Sequence, residues 1–123
     1  MSRTIHLRKT IKSWLDPFCQ NVAYGDASDA KKTPRIAFEC RELLKDYGRV
    51  LYDLEVNVID QGDDETWIEN TADQIQEELD KKYHLDGIIQ CRTYIGPRLI
   101  VREDDKDIKR RRLSFELHLY ERG

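Results

Sequence analysis

The chain has 123 residues, enough for one domain with a single core, and 37% of them are charged, so its surface is heavily solvated. Twenty-one basic residues against 24 acidic ones leave a net charge of −3, a balance that argues against bulk binding to nucleic acid or to a membrane. No apolar run approaches the roughly 20 residues of a membrane span, and the opening stretch MSRTIHLRKTIKSW lacks the apolar centre of a secretory signal.

Residues 3–18 read as a first helix. Leu7, Ile11, Trp14, Leu15 and Phe18 fall on one face, with Arg3, Arg8, Lys9 and Lys12 away from it. Ser2 is the expected N-cap. Pro17 should end the helix, because the residue before a proline avoids the α region. A cationic amphipathic helix also suits a membrane surface, but a single apolar face is met most simply by the domain's own core. Residues 21–24 form a short strand. Residues 25–33, GDASDAKKT, have no period and read as an exposed loop. Pro34 opens a strand in which Ile36, Phe38 and Cys40 point one way and Arg35, Glu39 and Arg41 the other. Residues 43–48 read as a connection turning at Asp46-Tyr47-Gly48, so this strand and the next should pair antiparallel.

The stretch over 50–79, VLYDLEVNVIDQGDDETWIENTADQIQEEL, organises the rest. Val50, Tyr52, Leu54, Val56 and Val58 alternate with Leu51, Asp53, Glu55, Asn57 and Ile59, as a strand with one buried face requires. Past Gln61-Gly62 the period changes, and Ile68, Ala72, Ile75 and Leu79 form a helical stripe. Asp63 and Asp64 cap the helix and oppose its positive end, Lys81 and Lys82 sit near the other end, and Asp86-Gly87 stops the element. Residues 63–82 hold eight acidic and two basic side chains, so the outer face of the helix is strongly negative. Residues 88–95 are a third long strand, bent at Gly96-Pro97 and continued over 98–102. Residues 103–107, EDDKD, make a polar hairpin loop. In the last strand Leu113, Phe115, Leu117 and Leu119 alternate with Arg112, Ser114, Glu116 and His118.

Two helices and five to six strands joined mostly by short turns define one α+β domain over residues 1–123. Its largely antiparallel β-sheet carries both helices on one face. The other face bears Arg35, Glu39, Asp53, Glu55, Arg112 and Glu116, and is expected to be solvated or to bind something polar.

Chemistry is harder to find. The acidic runs at 60–65 and 103–107 lack the alternating spacing, glycine and terminal glutamate of a calcium loop, and read as a helix cap and a hairpin tip. Asp53 and Glu55 share a strand face, but the lysine that a nuclease would place after them is missing. His6, His84 and His118 have no metal-ligand spacing. Cys19, Cys40 and Cys91 are odd in number and far apart, so they read as reduced thiols in a cytoplasmic setting, with Cys40 and Cys91 as small core residues. The six glycines are scattered, so no phosphate loop exists. No metal or cofactor is expected. The strongest charge run is KRRR over 109–112. In a strand, Arg110 and Arg112 share one face, and Lys109 and Arg111 the other. Such a strand end would contact phosphates, meet the acidic helix of a neighbouring subunit, or guard an edge against aggregation.

The order of elements carries a resemblance. An N-terminal helix ends near Trp14-Leu15; VAYG and a polar loop follow, then Pro34-Arg35-Ile36-Ala37-Phe38. After these come LEVNVID and an acidic helix containing Ala72-Asp73-Gln74-Ile75. This pattern resembles the tail terminator (tail completion) proteins of long-tailed bacteriophages and prophages, also known as minor capsid or minor tail proteins. It covers nearly the whole chain, though the KRRR hairpin contributes little to it. The resemblance implies a non-enzymatic structural protein without cofactors, acting in the virion tail after assembly in the host cytoplasm. Such proteins form a hexameric ring on the head-proximal end of the tail tube, stop its polymerisation and present the head-joining surface. The implied partners are copies of itself, the tail-tube protein and a head-completion or connector protein, with DNA as passing cargo and no membrane.

A head-to-tail ring needs two complementary patches on each subunit. The candidates here are Asp73, Glu77 and Asp80 on the acidic helix, and Arg35, Arg98, Lys109, Arg110, Arg111 and Arg112. Three alternatives remain. One is another neck or connector subunit, or a tail-tube relative. Another is a nucleic-acid-binding module using the sheet face and KRRR. The last is a small hydrolase or nuclease built on Asp53 and Glu55. A nucleic-acid binder should interleave aromatic and basic residues on its exposed face, whereas Phe38, Tyr52 and Phe115 are expected on the buried one.

Overall fold

Strand alternation and two helical stripes become two layers around one core in the computed structural model, which describes residues 2–25 and 32–120. Helix α1 spans Arg3–Leu15, and the Ser2 Oγ accepts a hydrogen bond from the Ile5 N–H at 3.3 Å, as an N-cap should. Leu7, Ile11 and Leu15 are buried. The helix stops three residues before the expected limit: Asp16–Phe18 tighten into a 3-10 turn around Pro17, which has no N–H to give the α ladder. Strand β1 is Val22–Tyr24. Most of the expected polar loop, 26–31, lies outside the described residues.

Strand β2 runs Arg35–Asp46 and strand β3 Arg49–Gln61, paired antiparallel down to Asp46 opposite Arg49. The predicted connection over 43–48 is therefore mostly strand, and only Tyr47 and Gly48 turn. A bulge between Glu42 and Leu44 adds a residue and breaks the alternation, which hides the strand from a period-2 reading. Gly48, at φ 69°, takes the left-handed conformation that the tight turn needs. Helix α2 spans Thr66–Leu79, shorter than 63–82 at both ends; Asp64 Oδ1 accepts from the Thr66 N–H at 2.9 Å. Between it and the next long strand lies a short strand that the sequence did not disclose, β4, Tyr83–Leu85. Strand β5 spans Gln90–Arg102, with its register shifting between Ile95 and Arg98 at the expected bend, and β6 spans Ile108–Tyr120.

The sheet order is β1-β2-β3-β6-β5-β4, antiparallel throughout except for the β1–β2 pair. Both helices lie on one face. Leu7, Ile11 and Leu15 of α1 and Ile68, Ala72, Ile75 and Leu79 of α2 join one buried cluster with Phe38, Leu54, Val56, Leu113, Phe115 and Leu117. Each fully buried Leu, Ile or Phe in it contributes about 1.5–3 kcal/mol relative to exposure. Cys40 and Cys91 sit in the same cluster, and burial pushes both thiols up to about 12. Among the described residues, no helix is long and apolar enough to cross a membrane.

The outermost strands are short. β1 pairs with β2 at residues 36–38, and β4 pairs with β5 at 90–92. Among the described residues, the outer edges of 41–46 in β2 and 98–102 in β5 have no strand beside them.

Candidate interaction surface

The KRRR run alternates in β6 as expected, but its members find partners within the chain. Arg111 faces the helix layer and is only 4% exposed. Its Nε lies 2.5 Å from Glu69 Oε1 and its Nη2 3.1 Å from Glu65 Oε1, both on or beside the first turn of α2. Arg98, one strand over, reaches the same helix: Nη1 is 2.6 Å from Asp73 Oδ1 and Nη2 3.1 Å from Glu69 Oε2. The negative outer face of α2 is thus partly neutralised by β5 and β6 of its own chain. On the opposite face, Arg110 Nε lies 2.7 Å from Glu103 Oε1, and Arg112 Nε lies 2.6 Å from Glu55 Oε1. Lys109 Nζ donates to the Lys106 carbonyl at 2.8 Å. Asp80 Oδ1 accepts from the Ile95 N–H at 3.3 Å, and Glu77 is exposed on α2. Arg35, expected on a solvated face, is 8% exposed. The structure thus brings Arg98, Arg111 and Asp73 together, and places Arg110 and Arg112 beside a polar hollow of about 180 Å³ with Glu39, Glu55 and Asn57.

The carboxylates weighed as a catalytic pair each meet a cation of their own. Asp53 accepts from Arg41 at 3.0 Å, while Glu55 meets Arg112. A tighter constellation joins α1 to the loop after β4. His6 Nε2 and His84 Nε2 both lie 2.8 Å from Asp86 Oδ2, and Asp86 Oδ1 accepts from the Ile88 and Ile89 N–H groups at 2.7 and 2.8 Å. The His6 and His84 imidazoles, with those two N–H groups, hold the Asp86 carboxyl well below the usual carboxylate range. Asp86, read from the sequence as a helix stop, is thus a clamp. Among the described residues no group of three or more His, Cys, Asp or Glu is arranged to hold a metal ion.

Two surface features escaped the sequence reading. At one end of the open face, Tyr94 packs edge-on against His118 at 5.1 Å, with Tyr120 beyond it and Arg49 Nη1 3.2 Å from His118 Nδ1. Tyr94 and Tyr120 follow the buried Thr93 and Leu119, and strand alternation turns them to the other face. The second feature is apolar: Leu43 and Leu44 on β2 and Leu99 and Ile100 on β5 are 50–70% exposed. Leu43 and Leu51 also line a shallow open-face cleft of about 280 Å³ with Ile95 and Pro97. The doublets Leu43-Leu44 and Leu99-Ile100 were visible signals, since a solvated strand edge has no use for adjacent leucine-like side chains.

No protein-family model and no curated protein matches the chain. Its fold is similar to that of a chain in the solved virion of a native gene transfer agent particle, with a TM-score of 0.64 at 12% identity. The superposition covers 86% of this chain and 84% of that one. The likeness is one of fold, and it extends over nearly the full length of both chains.

Proposed function

We propose that the chain is a non-enzymatic structural subunit of a phage-type virion, specifically a tail terminator. Copies form a ring, a hexamer by the family resemblance, that caps the head-proximal end of the tail tube, ends its polymerisation and offers the surface for head joining. The single observation that carries the reading is the fold shared with a virion component over 86% of this chain and 84% of that one. It agrees with the resemblance drawn from the order of elements. In this reading the subunit meets its own copies, the tail-tube protein and a head-completion or connector protein, while DNA passes through the ring. Glu77 and Lys109 are the predicted charged sites best placed for subunit contact, since Arg98, Arg110, Arg111 and Arg112 already hold carboxylates of their own chain. Light scattering on the purified protein, alone and with purified tail tubes, tests the reading. A ring-sized mass, or a monomer that co-sediments with tubes, is expected; a monomer that ignores tubes would overturn it.

A nucleic-acid-binding module is the second reading, favoured by Arg49, Tyr94, His118 and Tyr120 sharing one end of the open face. A salt-dependent gel shift with single-stranded oligonucleotides, lost in Tyr94→Ala, would support it.

A further inference from the structure

We propose that the two half-covered edges of the sheet join head to tail between copies of this chain, residues 41–46 of one against 98–102 of the next. The proposal rests on the ring reading and names its contact. An uncovered strand edge presents unpaired N–H and C=O groups and is a template for another strand. Among the described residues, no strand lies beside either edge along the segments that carry the exposed apolar doublets, Leu43-Leu44 and Leu99-Ile100.

Three features of the topology select a second copy as the occupant. First, β2, β3, β6 and β5 are successively antiparallel, so β5 runs opposite to β2. A copy placed alongside in the same orientation therefore offers an antiparallel strand, the pairing used by every long strand pair in this sheet. Second, the two uncovered segments lie at diagonal corners. The β2 segment is at the Arg49–Tyr120 end of the register and the β5 segment at the Gln61–Ile108 end. Joining them shifts each copy along the strand direction relative to the last, which a closed ring accommodates by tilting its strands, as barrels do. Third, the side chains match by face. Leu44 pairs with Leu51, and Leu99 with Arg112, both on the face away from the helices, so a continuous sheet brings Leu44 and Leu99 side by side. Glu42 and Arg102 share the helix-side face by the same register. The bulges at 42–44 and 95–98 confine the pairing to short runs and discourage unlimited edge-to-edge growth.

The test uses the full chain in a Cys19→Ser background. Leu44→Glu and Leu99→Glu, both at exposed sites, should keep the wild-type urea midpoint yet raise the concentration needed for assembly, on tubes or alone, by about tenfold or more. The double variant Leu44→Cys with Leu99→Cys should oxidise to a ladder of covalent species beyond the dimer, whereas a mixture of the two single variants should stop at dimers. A double variant that also stops at dimers would overturn the head-to-tail pairing. If wild type assembles and both glutamate variants assemble equally well, the edge contact is wrong and the ring reading stands. If wild type stays monomeric both alone and with tubes, both fall.

Discussion

The Nε of Arg111 lies 2.5 Å from Oε1 of Glu69, joining the middle of the basic run in β6 to the first turn of the acidic helix α2 within one chain. The sequence left the basic run open to phosphates, to the acidic helix of a neighbouring subunit or to guarding an edge. Arg111 is 4% exposed, so removing its guanidinium takes the cation from Glu65, leaves Glu69 to Arg98 and opens a gap under the helix. We predict that Arg111→Ala costs about 2–3 kcal/mol in urea unfolding, as expected for charge-assisted hydrogen bonds at a buried donor. Lys109→Ala, whose ammonium meets a backbone carbonyl two residues into the hairpin, should stay within about 0.5 kcal/mol. Equal effects at the two positions would contradict the buried pairing of Arg111 with α2.

Leu54 is fully buried between the helices and the centre of the sheet. Leu54→Ala should cost about 2–5 kcal/mol, by lost transfer energy and the cavity left behind. Leu44→Ala, at a side chain 54% exposed, should be near neutral for monomer stability. Chemical denaturation of both variants checks the assignment of faces, and a reversed ranking would invert it.

Gly96 sits where β5 bends against β6. A Cβ there would come 2.8 Å from the Ser114 carbonyl oxygen, a contact with backbone that cannot swing aside. We expect Gly96→Ala to destabilise by about 1–3 kcal/mol. Gly87→Ala, with open space around the site, serves as the control and should change little. Thermal melts of the pair separate a packing requirement from a general intolerance of alanine.

Asp86 gives the fold a defined acid limb. Its folded-state carboxyl is depressed below the ordinary value of about 3.9 by His6, His84 and the Ile89 and Ile88 N–H groups. Stability linked to a depressed carboxyl is fully present above the unfolded-state value and is lost as pH falls through the folded one. The stability gap between wild type and Asp86→Asn should therefore be constant above about pH 5 and close progressively below about pH 4. A gap independent of pH down to acid unfolding would show that Asp86 acts by packing alone.

Much of the fold was legible because burial and period coincide. The strand follows one clean period over 50–56, though Asn57 and Ile59 beyond it are buried on the other face as well, and the stripe Ile68, Ala72, Ile75 and Leu79 is fully buried. What stayed hidden departs from periodicity. β2 beyond Glu42 is disguised by a bulge, and β4 is three residues long with no alternation to show. The charged candidates were found by residue type, but their partners depend on sheet order. Arg98 and Arg111 become neighbours under α2 because β5 lies beside β6, and Arg112 meets Glu55 because β6 lies beside β3. The clamp of His6, His84 and Asp86 spans α1 and the loop after β4, so no local spacing announces it.

The most direct test of a terminator is arrested growth. Tail-tube protein polymerised with and without this chain, and imaged by electron microscopy, should give short tubes with an added ring at one end when the chain is present. Long tubes with bare ends, at every ratio of the two proteins, would contradict a tail-capping role.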